Sequence, residues 1–158
     1  MALPCAFRRF LTRLARRLMP PRLSERARRS RELGRQGESL AAGYLRSSGW
    51  RILARNVRVP MGEADLVALA PDGDTRVVVE VKTRRRFVGQ LARSAAAMPE
   101  ESVTLRKRRT LRAVARHLAV ANGWRTVRVD VIAIEWGPAG ATLRHHAGDA
   151  ARVNGASC

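Results

Sequence analysis

The sequence is poor in lysine, in aromatic residues and in cysteine. Only Lys82 and Lys107 are lysines among the 31 basic residues, so arginine supplies nearly all of the positive charge. Aromatic residues make up 4% of the chain, and the two cysteines, Cys5 and Cys158, lie near its opposite ends. Two terminal cysteines do not form a disulfide framework, so we expect a protein of the reducing cytoplasm.

Long apolar runs are also missing. No stretch approaches the roughly 20 apolar residues that a membrane-spanning helix needs, so we expect no transmembrane segment. At 158 residues and 46% hydrophobic content, the chain can bury the core of one globular domain. We place this domain at residues 31–147, with a basic extension at 1–30 and a flexible tail at 148–158.

Acidic residues are scarce, and 13 of them against 31 basic residues give a formal net charge of +18. Half of this charge lies in residues 1–35, which hold eleven arginines and two acids. The rest of the chain is therefore basic in its own right. Nucleic acid, DNA first of all, is the expected partner, because arginine contacts to phosphates release condensed counterions. The competing explanation is an arginine-biased genome.

A basic amphipathic pattern occupies residues 1–18. Its apolar residues recur at helical spacing with arginines between them: Phe7, Phe10, Leu11, Leu14 and Leu18. Such a segment can lie on a membrane surface or on nucleic acid, and it also resembles a transit peptide. The competing explanation is a disordered tail, or translation that begins at Met19.

Hydrophobic spacing predicts the element order α-β-β-β-α-β. The predicted helices are 31–48 and 100–122, and the predicted strands are 50–59, 63–70, 75–83 and 126–136, with an edge strand at 142–146. A loop at 84–98 would follow the third strand. Three consecutive strands suit hairpin connections, so we expect an α/β fold with a mixed central sheet flanked by helices.

Each predicted helix carries an apolar stripe. The stripe of the first helix is Leu33, Leu40, Ala41, Tyr44 and Leu45, and that of the second is Val103, Leu111, Val114, Leu118 and Ala121. Arg109, Arg112 and Arg116 are expected on the opposite side of the second helix. On the edge strand, His145 and His146 are expected to form a solvated pair.

Acidic residues and a lysine recur on two neighbouring strands. Gly62-Glu63-Ala64-Asp65 lies on one strand and Glu80-Val81-Lys82 on the next. Because side chains alternate along a strand, Glu80 should share a face with Lys82, and Glu63 with Asp65. Antiparallel pairing would bring Asp65 beside Glu80. Two adjacent carboxylates repel each other unless a cation neutralises them, and Mg²⁺ accepts one or two carboxylates with water and phosphate oxygens.

Lys82 stands at the start of an arginine run, Lys-Thr-Arg-Arg-Arg. A lysine ammonium is a compact charge whose pKa shifts on burial, so it suits a water nucleophile better than arginine does. The alternative is a structural ion pair of Lys82 with Asp65 and Glu80, but buried pairs seldom add net stability. Glu38 is expected as a third carboxylate at the rim of the metal site; the alternative is an acid favourably placed in an early turn of a helix.

Together these motifs resemble the YraN family of small bacterial proteins. The matching residues are Gly34-x-x-Gly37-Glu38, Asn56, Gly62-Glu63-x-Asp65, Val79-Glu80-Val81-Lys82-Thr83-Arg84, Pro99-Glu100-Glu101-Ser102-Val103 with Lys107, and Arg128-Val129-Asp130-Val131. The resemblance implies a restriction-endonuclease-like core of the PD-(D/E)XK nuclease superfamily, similar to archaeal Holliday-junction resolvases. The stretch 90–98 lengthens the loop after the third strand, which would alter substrate access.

The resemblance also implies residue roles. Asp65 and Glu80 would bind Mg²⁺ or Mn²⁺ with the backbone carbonyl of Val81, and Lys82 would be catalytic. Glu38 would join the catalytic set and Glu63 the metal ligands, as the further acids of the family.

We therefore expect a metal-dependent endonuclease. Because phosphate contacts position a substrate without reading its sequence, structure selectivity is expected. The residues expected on flanking phosphates are Arg84, Arg85, Arg86, Lys107, Arg109, Arg112 and Arg116. The alternative is a non-catalytic nucleic-acid-binding protein that keeps the fold. Resolvase-like folds often dimerise, so a homodimer is a further option. Contact with a membrane surface through residues 1–18 is another.

Overall fold

The structure is a computed structural model that describes residues 21–85 and 104–153, with side chains from Glu25 onward. The chain divides into two compact units, Met1–Leu33 and Gly34–Cys158. The amphipathic segment 1–18, Arg86, Val103 and the stretch 90–98 lie outside the described residues. Within the described ranges, no helix has the length and apolar character that crossing a membrane requires.

The secondary structure consists of two helices and six strands in the described ranges. The helices are α1, Pro21–Ser47, and α2, Leu105–Asn122. The strands are β1, Arg51–Val59; β2, Gly62–Leu69; β3, Arg76–Arg85; β4, Thr126–Gly137; β5, Gly140–His146; and β6, Ala151–Arg152. The predicted order α-β-β-β-α-β and the edge strand that follows it are confirmed.

The helix boundaries differ from those expected. Helix α1 begins at Pro21, ten residues before the predicted start. The sequence did not indicate these first turns, because residues 25–32 are all exposed and form no apolar stripe. Helix α2 begins after Thr104, whose hydroxyl accepts a hydrogen bond from the Lys107 N–H and caps the helix. It ends at Gly123 in the left-handed conformation, as the sequence predicts.

The sheet has the strand order β1-β2-β3-β4-β5, and β6 also pairs with β4. Strands β1, β2 and β3 pair antiparallel, whereas β3 and β4 pair parallel over their length. The sheet is therefore mixed. A parallel pair needs a crossover connection, and α2 lies on the connection from β3 to β4. The tail expected from residue 148 contains β6, which was too short to leave a hydrophobic signal; the domain limits themselves stay predictions.

The core lies on both sides of the sheet. Val78 and residues of α2 form one buried cluster, and we call this side the α2 face. Val77, Val79 and residues of α1 form the other cluster, on the α1 face. Val78 and its neighbours thus alternate between two layers, as expected for a strand covered on both faces.

The buried stripes of the helices contain smaller residues than expected. Ala41, Ala42 and Leu45 are buried in α1, but Leu40 and Tyr44 are 37% and 36% exposed, and Leu33 is only half-buried. In α2 the buried residues are Leu111, Val114, Ala115 and Ala119; Leu118 is half-buried and Ala121 is exposed. Alanines let a helix backbone approach the sheet closely, so Leu40 and Tyr44 lie at the flanks of α1 while Leu45 stays buried.

The turn between β2 and β3 fixes the register of these two strands. Asp72 accepts hydrogen bonds from the Thr75 hydroxyl at 2.7 Å and from the backbone N–H groups of Thr75 and Asp74 at 2.9 Å. These hydrogen bonds, the one from the Thr75 hydroxyl above all, lower the pKa of Asp72 to about 2. A fixed hairpin determines which residues of β2 and β3 face each other further along.

Candidate active site

Strands β2 and β3 separate at the acidic motif. Their ladder runs from Leu69 paired with Arg76 to Leu66 paired with Val79. The next residues along the two strands are Asp65 and Glu80. Here the Asp65 side chain takes over from the backbone, since its Oδ2 accepts a hydrogen bond from the Val81 N–H at 2.7 Å.

An irregularity in β1 and β2 accompanies this separation. The β1–β2 ladder pairs the residues on either side of Asn56 and Asp65 but does not pair these two with each other. Asn56 has a φ of 51°, in the left-handed region that asparagine tolerates better than most residues. Ala64 packs on the α2 face and Leu66 on the α1 face, so the alternation of β2 breaks at Asp65. The Asp65 carboxylate therefore reaches towards β3, and the simple alternation expected for Glu63 and Asp65 does not hold.

Glu80 lies in the α2 face with only 4% of its side chain exposed. Lys82 Nζ donates a hydrogen bond to its Oε1 at 2.6 Å, and Lys107 Nζ lies 3.0 Å from its Oε2. Despite this short ion-pair distance, Lys107 and Oε2 do not have hydrogen-bond geometry. No described residue donates a hydrogen bond to Oε2, which is buried. Lys107, expected to bind phosphate, thus contacts the acidic motif itself.

Helix α1 brings Glu38 to the same region. A Cβ on Gly37 would lie 1.8 Å from the Thr83 hydroxyl oxygen, so the helix contacts β3 at a point that only glycine leaves open. Glu38, the next residue, is half-buried, and its charge acts on Asp65. The Gly-Glu pair in the sequence motif therefore has a packing function and an electrostatic function.

The Asp65 carboxyl is hard to ionise. Burial raises its pKa to about 6, and the charges of Glu80 and Glu38 act in the same direction. The Val81 N–H and the Lys107 ammonium group oppose this rise by stabilising the carboxylate. A bound cation would favour the ionised carboxylate for the same electrostatic reason.

The remaining predicted site residues lie further out. Glu63 is 61% exposed and its carboxylate lies 3.6 Å from Arg58, and no described contact joins it to Asp65 or Glu80. Arg84 and Arg85 are exposed at the end of β3, and Arg109, Arg112 and Arg116 are exposed on α2. Their roles, and that of Glu63 as a metal ligand, stay predictions.

The possible metal ligands at this site are two carboxylates and a backbone carbonyl. Among residues 25–85 and 104–153, no group of three or more histidine, cysteine, aspartate and glutamate side chains could hold a metal ion. Asp65 and Glu80 offer carboxylate oxygens. The backbone carbonyl of Val81, the residue between Glu80 and Lys82, is a further possible ligand. Mg²⁺ is commonly held by one or two carboxylates and completes its shell with water and phosphate. The buried Glu80 Oε2, which accepts no hydrogen bond, fits such a site.

A second polar cluster, on the α1 face, surrounds Asp130. This fully buried carboxylate accepts two hydrogen bonds from Arg128, at 2.8 and 2.9 Å, and one from the Gly148 N–H. It also lies 2.8 Å from His145 Nε2. Although burial opposes ionisation, the hydrogen bonds from His145, Arg128 and Gly148 hold the pKa of Asp130 below its usual value.

The prediction that His145 is solvated is therefore wrong. Its side chain is 13% exposed and packs against the rings of Trp50 and Tyr44. A hydrophobic pattern could not show this, because the partner carboxylate lies on a different strand. The Asp130 carboxylate therefore joins Arg128, His145 and the Gly148 backbone in one buried cluster on the α1 face.

Comparison with known proteins identifies the family. A sequence model of the uncharacterised protein family UPF0102 matches residues 37–134. The chain belongs to this family. The resemblance to the YraN family is thereby confirmed, because UPF0102 is that family. The matched segment of this UPF0102 chain contains Glu38, Asp65, Glu80, Lys82 and Lys107.

Several UPF0102 proteins of bacteria are similar over most of their length. The protein of Symbiobacterium thermophilum is 44% identical over 114 residues, which are 70% of this chain and 88% of that protein. The protein of Nocardia farcinica is 42% identical over 104 residues, 65% of this chain and 75% of that protein. The protein of Anaeromyxobacter dehalogenans is 39% identical over 115 residues, 72% of this chain and 79% of that protein.

Proposed function

We propose that the protein is a metal-dependent phosphodiester hydrolase that cleaves DNA within the strand and selects the structure of its substrate. One observation carries the proposal: the Asp65 and Glu80 side chains stand where β2 and β3 separate, with both lysines of the chain at Glu80. A net charge of +18 supports a polyanionic substrate.

Asp65 and Glu80, with the backbone carbonyl of Val81, would hold Mg²⁺ or Mn²⁺. When bound, the ion would polarise the scissile phosphate and stabilise charge on the attacking and leaving oxygens. The open acceptor on Glu80 Oε2 and the raised pKa of Asp65 both support this assignment.

Lys82 would hold the water nucleophile. Its ammonium group has three donors and uses one of them on Glu80 Oε1, which leaves two for a water molecule or a phosphate oxygen. Its side chain is 34% exposed, so substrate and solvent reach it. Lys107 would fix the Glu80 carboxylate from the opposite side and so keep it in place for the metal ion.

The test is cleavage of branched and linear DNA in the presence of Mg²⁺. Asp65→Asn and Lys82→Ala are compared with the wild-type chain and with Asp74→Asn, a carboxylate that is 66% exposed in the β2–β3 turn. We expect wild type and Asp74→Asn to cleave, and the two site variants to bind DNA without cleaving it. Equal residual nicking by all four proteins would indicate a contaminant and overturn the proposal.

One observation favours a second candidate, a nucleic-acid-binding protein without catalysis. Both Glu80 oxygens already lie within 3.0 Å of an ammonium group, so no cation is needed to neutralise this carboxylate. Such a protein would bind DNA in a salt-sensitive way and cleave none. The cleavage assay separates the two candidates. The hydrolase predicts that the wild-type chain cleaves DNA, whereas the second candidate predicts that the wild-type chain and every variant bind DNA without cleaving it.

A further inference from the structure

A groove of about 620 Å³ runs along the α2 face between α2 and β4. Apolar side chains from both elements line it: Leu111, Ala115, Val127 and Val131. These four residues are buried and form the base of the groove floor, and Val120, which is 63% exposed, with the half-buried Val129 and Val153 supplies the accessible apolar surface of that floor.

The rim of the groove is basic. Arg108, Arg112 and Arg116 of α2 stand on one side, and Arg152 of β6 contributes a further arginine. Among the described residues that line the groove, Asp149 is the one acidic residue. The positive charge on the rim therefore exceeds the negative charge, which complements a polyanion.

The groove lies next to the candidate active site. Val131 pairs directly with Glu80 in the β3–β4 ladder. Leu111 follows Lys107 by one helical turn on α2. A strand with its scissile phosphate at Glu80 and Lys82 would therefore pass from the site to the groove along the α2 face.

We propose that this groove binds unpaired nucleotides that flank the scissile phosphate. The inference deepens the proposed function, since the bound strand would be the substrate of the same site. It names single-stranded nucleic acid next to the cleavage point, such as a flap, a gap or an opened branch, as the preferred ligand.

The apolar floor distinguishes unpaired nucleotides from a duplex. In a duplex the bases are stacked inside, and the surface that meets a protein is mainly phosphate and sugar. An unpaired base exposes both faces, which can be buried on aliphatic side chains and stacked on the planar guanidinium groups of arginine. The part of the lining that the structure describes contains no aromatic residue, so Arg112 and Arg116 would supply the stacking surfaces.

The spacing of the arginines fits a regular backbone. Arg108, Arg112 and Arg116 recur every fourth residue, so they form one row along α2 with steps of about 6 Å. A row of equally spaced cations can bind successive phosphates of one strand while the bases point to the floor.

Binding is measured by fluorescence anisotropy with the Asp65→Asn chain and no divalent metal, so that cleavage does not interfere. The probes are a labelled single-stranded oligonucleotide, the duplex of the same sequence, and the single strand with abasic sites. Arg112→Glu with Arg116→Glu removes charge from the rim. Arg51→Glu with Arg55→Glu makes the same change on exposed β1 residues outside the groove.

We expect the rim pair to weaken single-strand binding at least ten-fold beyond the control pair, with equal effects of both pairs on the duplex. Abasic sites should weaken binding to the unsubstituted rim by about ten-fold per lost base, as for stacked bases. Equal effects of the two pairs on both probes would overturn the inference, because net charge alone would then explain binding. Displacement of the single strand by an acidic peptide at equal charge would overturn it as well.

The outcomes separate this inference from the hydrolase proposal. Single-strand preference without cleavage by the wild-type chain would support the groove and refute the hydrolase. Cleavage without single-strand preference would refute the groove and leave the hydrolase intact. Thermal melting of both arginine pairs shows that each variant is folded, which is expected because all four arginines are exposed.

Discussion

Lys107 reaches across from α2 to the Glu80 carboxylate, with its Nζ 3.0 Å from Oε2. Lys82 contacts the other oxygen, and these two residues are the only lysines in the chain. An ammonium group is a compact point charge and a guanidinium is a planar fork, so arginine would not reproduce the contacts of these lysines with Glu80. The scarcity of lysine in the sequence is therefore the feature that marks both positions.

Removal of Lys107 should destabilise the protein through Glu80. Lys107→Ala leaves a buried carboxylate oxygen with neither a hydrogen bond nor its ion-pair partner, so we expect a loss of about 1–3 kcal/mol in the free energy of unfolding. Urea denaturation measures the loss. In a Glu80→Gln background the same substitution should cost much less, and an equal cost in both backgrounds would show that Lys107 acts elsewhere.

Asp65→Asn should stabilise the protein at neutral and higher pH. The folded-state pKa of about 6 exceeds the ordinary aspartate value of 3.8, so the folded protein binds a proton more tightly than the unfolded chain. The wild-type chain therefore loses stability as the pH rises from about 4 to about 6, by about 1–3 kcal/mol.

Asp65→Asn lacks this loss while its side-chain oxygen still accepts the Val81 hydrogen bond. Its stability advantage, measured by urea denaturation across this pH range, should grow up to about pH 6 and then level off. Asp74→Asn is the control and should show no such growth. An advantage of Asp65→Asn that does not change with pH would contradict the assigned pKa shift.

Metal binding should weaken as the pH falls through the pKa of Asp65. Protons and the cation compete for the same carboxylate, so the affinity for Mn²⁺ should drop below about pH 6 and binding should release protons. Titration calorimetry in buffers of different ionisation enthalpy measures the released protons. Unchanged proton release in Asp65→Asn would show that another group is the ligand.

Two glycines of α1 should respond to alanine with opposite signs. Gly37→Ala places a methyl group 1.8 Å from the Thr83 hydroxyl oxygen, so we expect a loss of about 1–3 kcal/mol. Gly43→Ala meets no atom within 4 Å and should stabilise the helix by about 0.5–1 kcal/mol. Denaturation midpoints compare the two, and Thr83→Ala should partly rescue Gly37→Ala. Equal losses at both positions would rule out the close contact.

The left-handed conformation of Asn56 should favour glycine over alanine. Asn56→Gly should leave stability nearly unchanged, whereas Asn56→Ala should cost about 1 kcal/mol because its Cβ is strained at a φ of 51°. Hydrogen exchange of the Val81 amide reports whether Asp65 keeps its position. We expect faster exchange in the alanine variant only. Equal exchange in both variants would show that the conformation of Asn56 does not position Asp65.

The sequence predicted the architecture well because its strands are regular. Valine-rich runs and hairpin turns indicate β2 and β3, and the spacing of Asp65, Glu80 and Lys82 places them on adjacent strands. These residues meet in the structure, but not by simple alternation, because the irregularity at Asn56 turns Asp65 towards the Val81 amide. The hydrophobic pattern of a sequence does not predict such an irregularity.

Long-range contacts were harder to predict. The contact of Lys107 with Glu80 depends on how α2 crosses the sheet, and that of His145 with Asp130 depends on the pairing of β4 with β5. The rarity of lysine was a usable signal for Lys107, whereas no comparable signal exists for His145. Strand β6 consists of two residues and is defined only by its pairing partner.

The Asp65 side chain stands in for a main-chain carbonyl at the point where two strands part. A nonpolar residue at this position would leave the Val81 amide unsatisfied, so the architecture itself selects for an acceptor there, whatever reaction the protein performs. An aspartate at the corresponding position of a relative is thus a poor criterion for sorting active enzymes from inactive descendants. Lys82, which the ladder does not need, is the more informative position for that purpose.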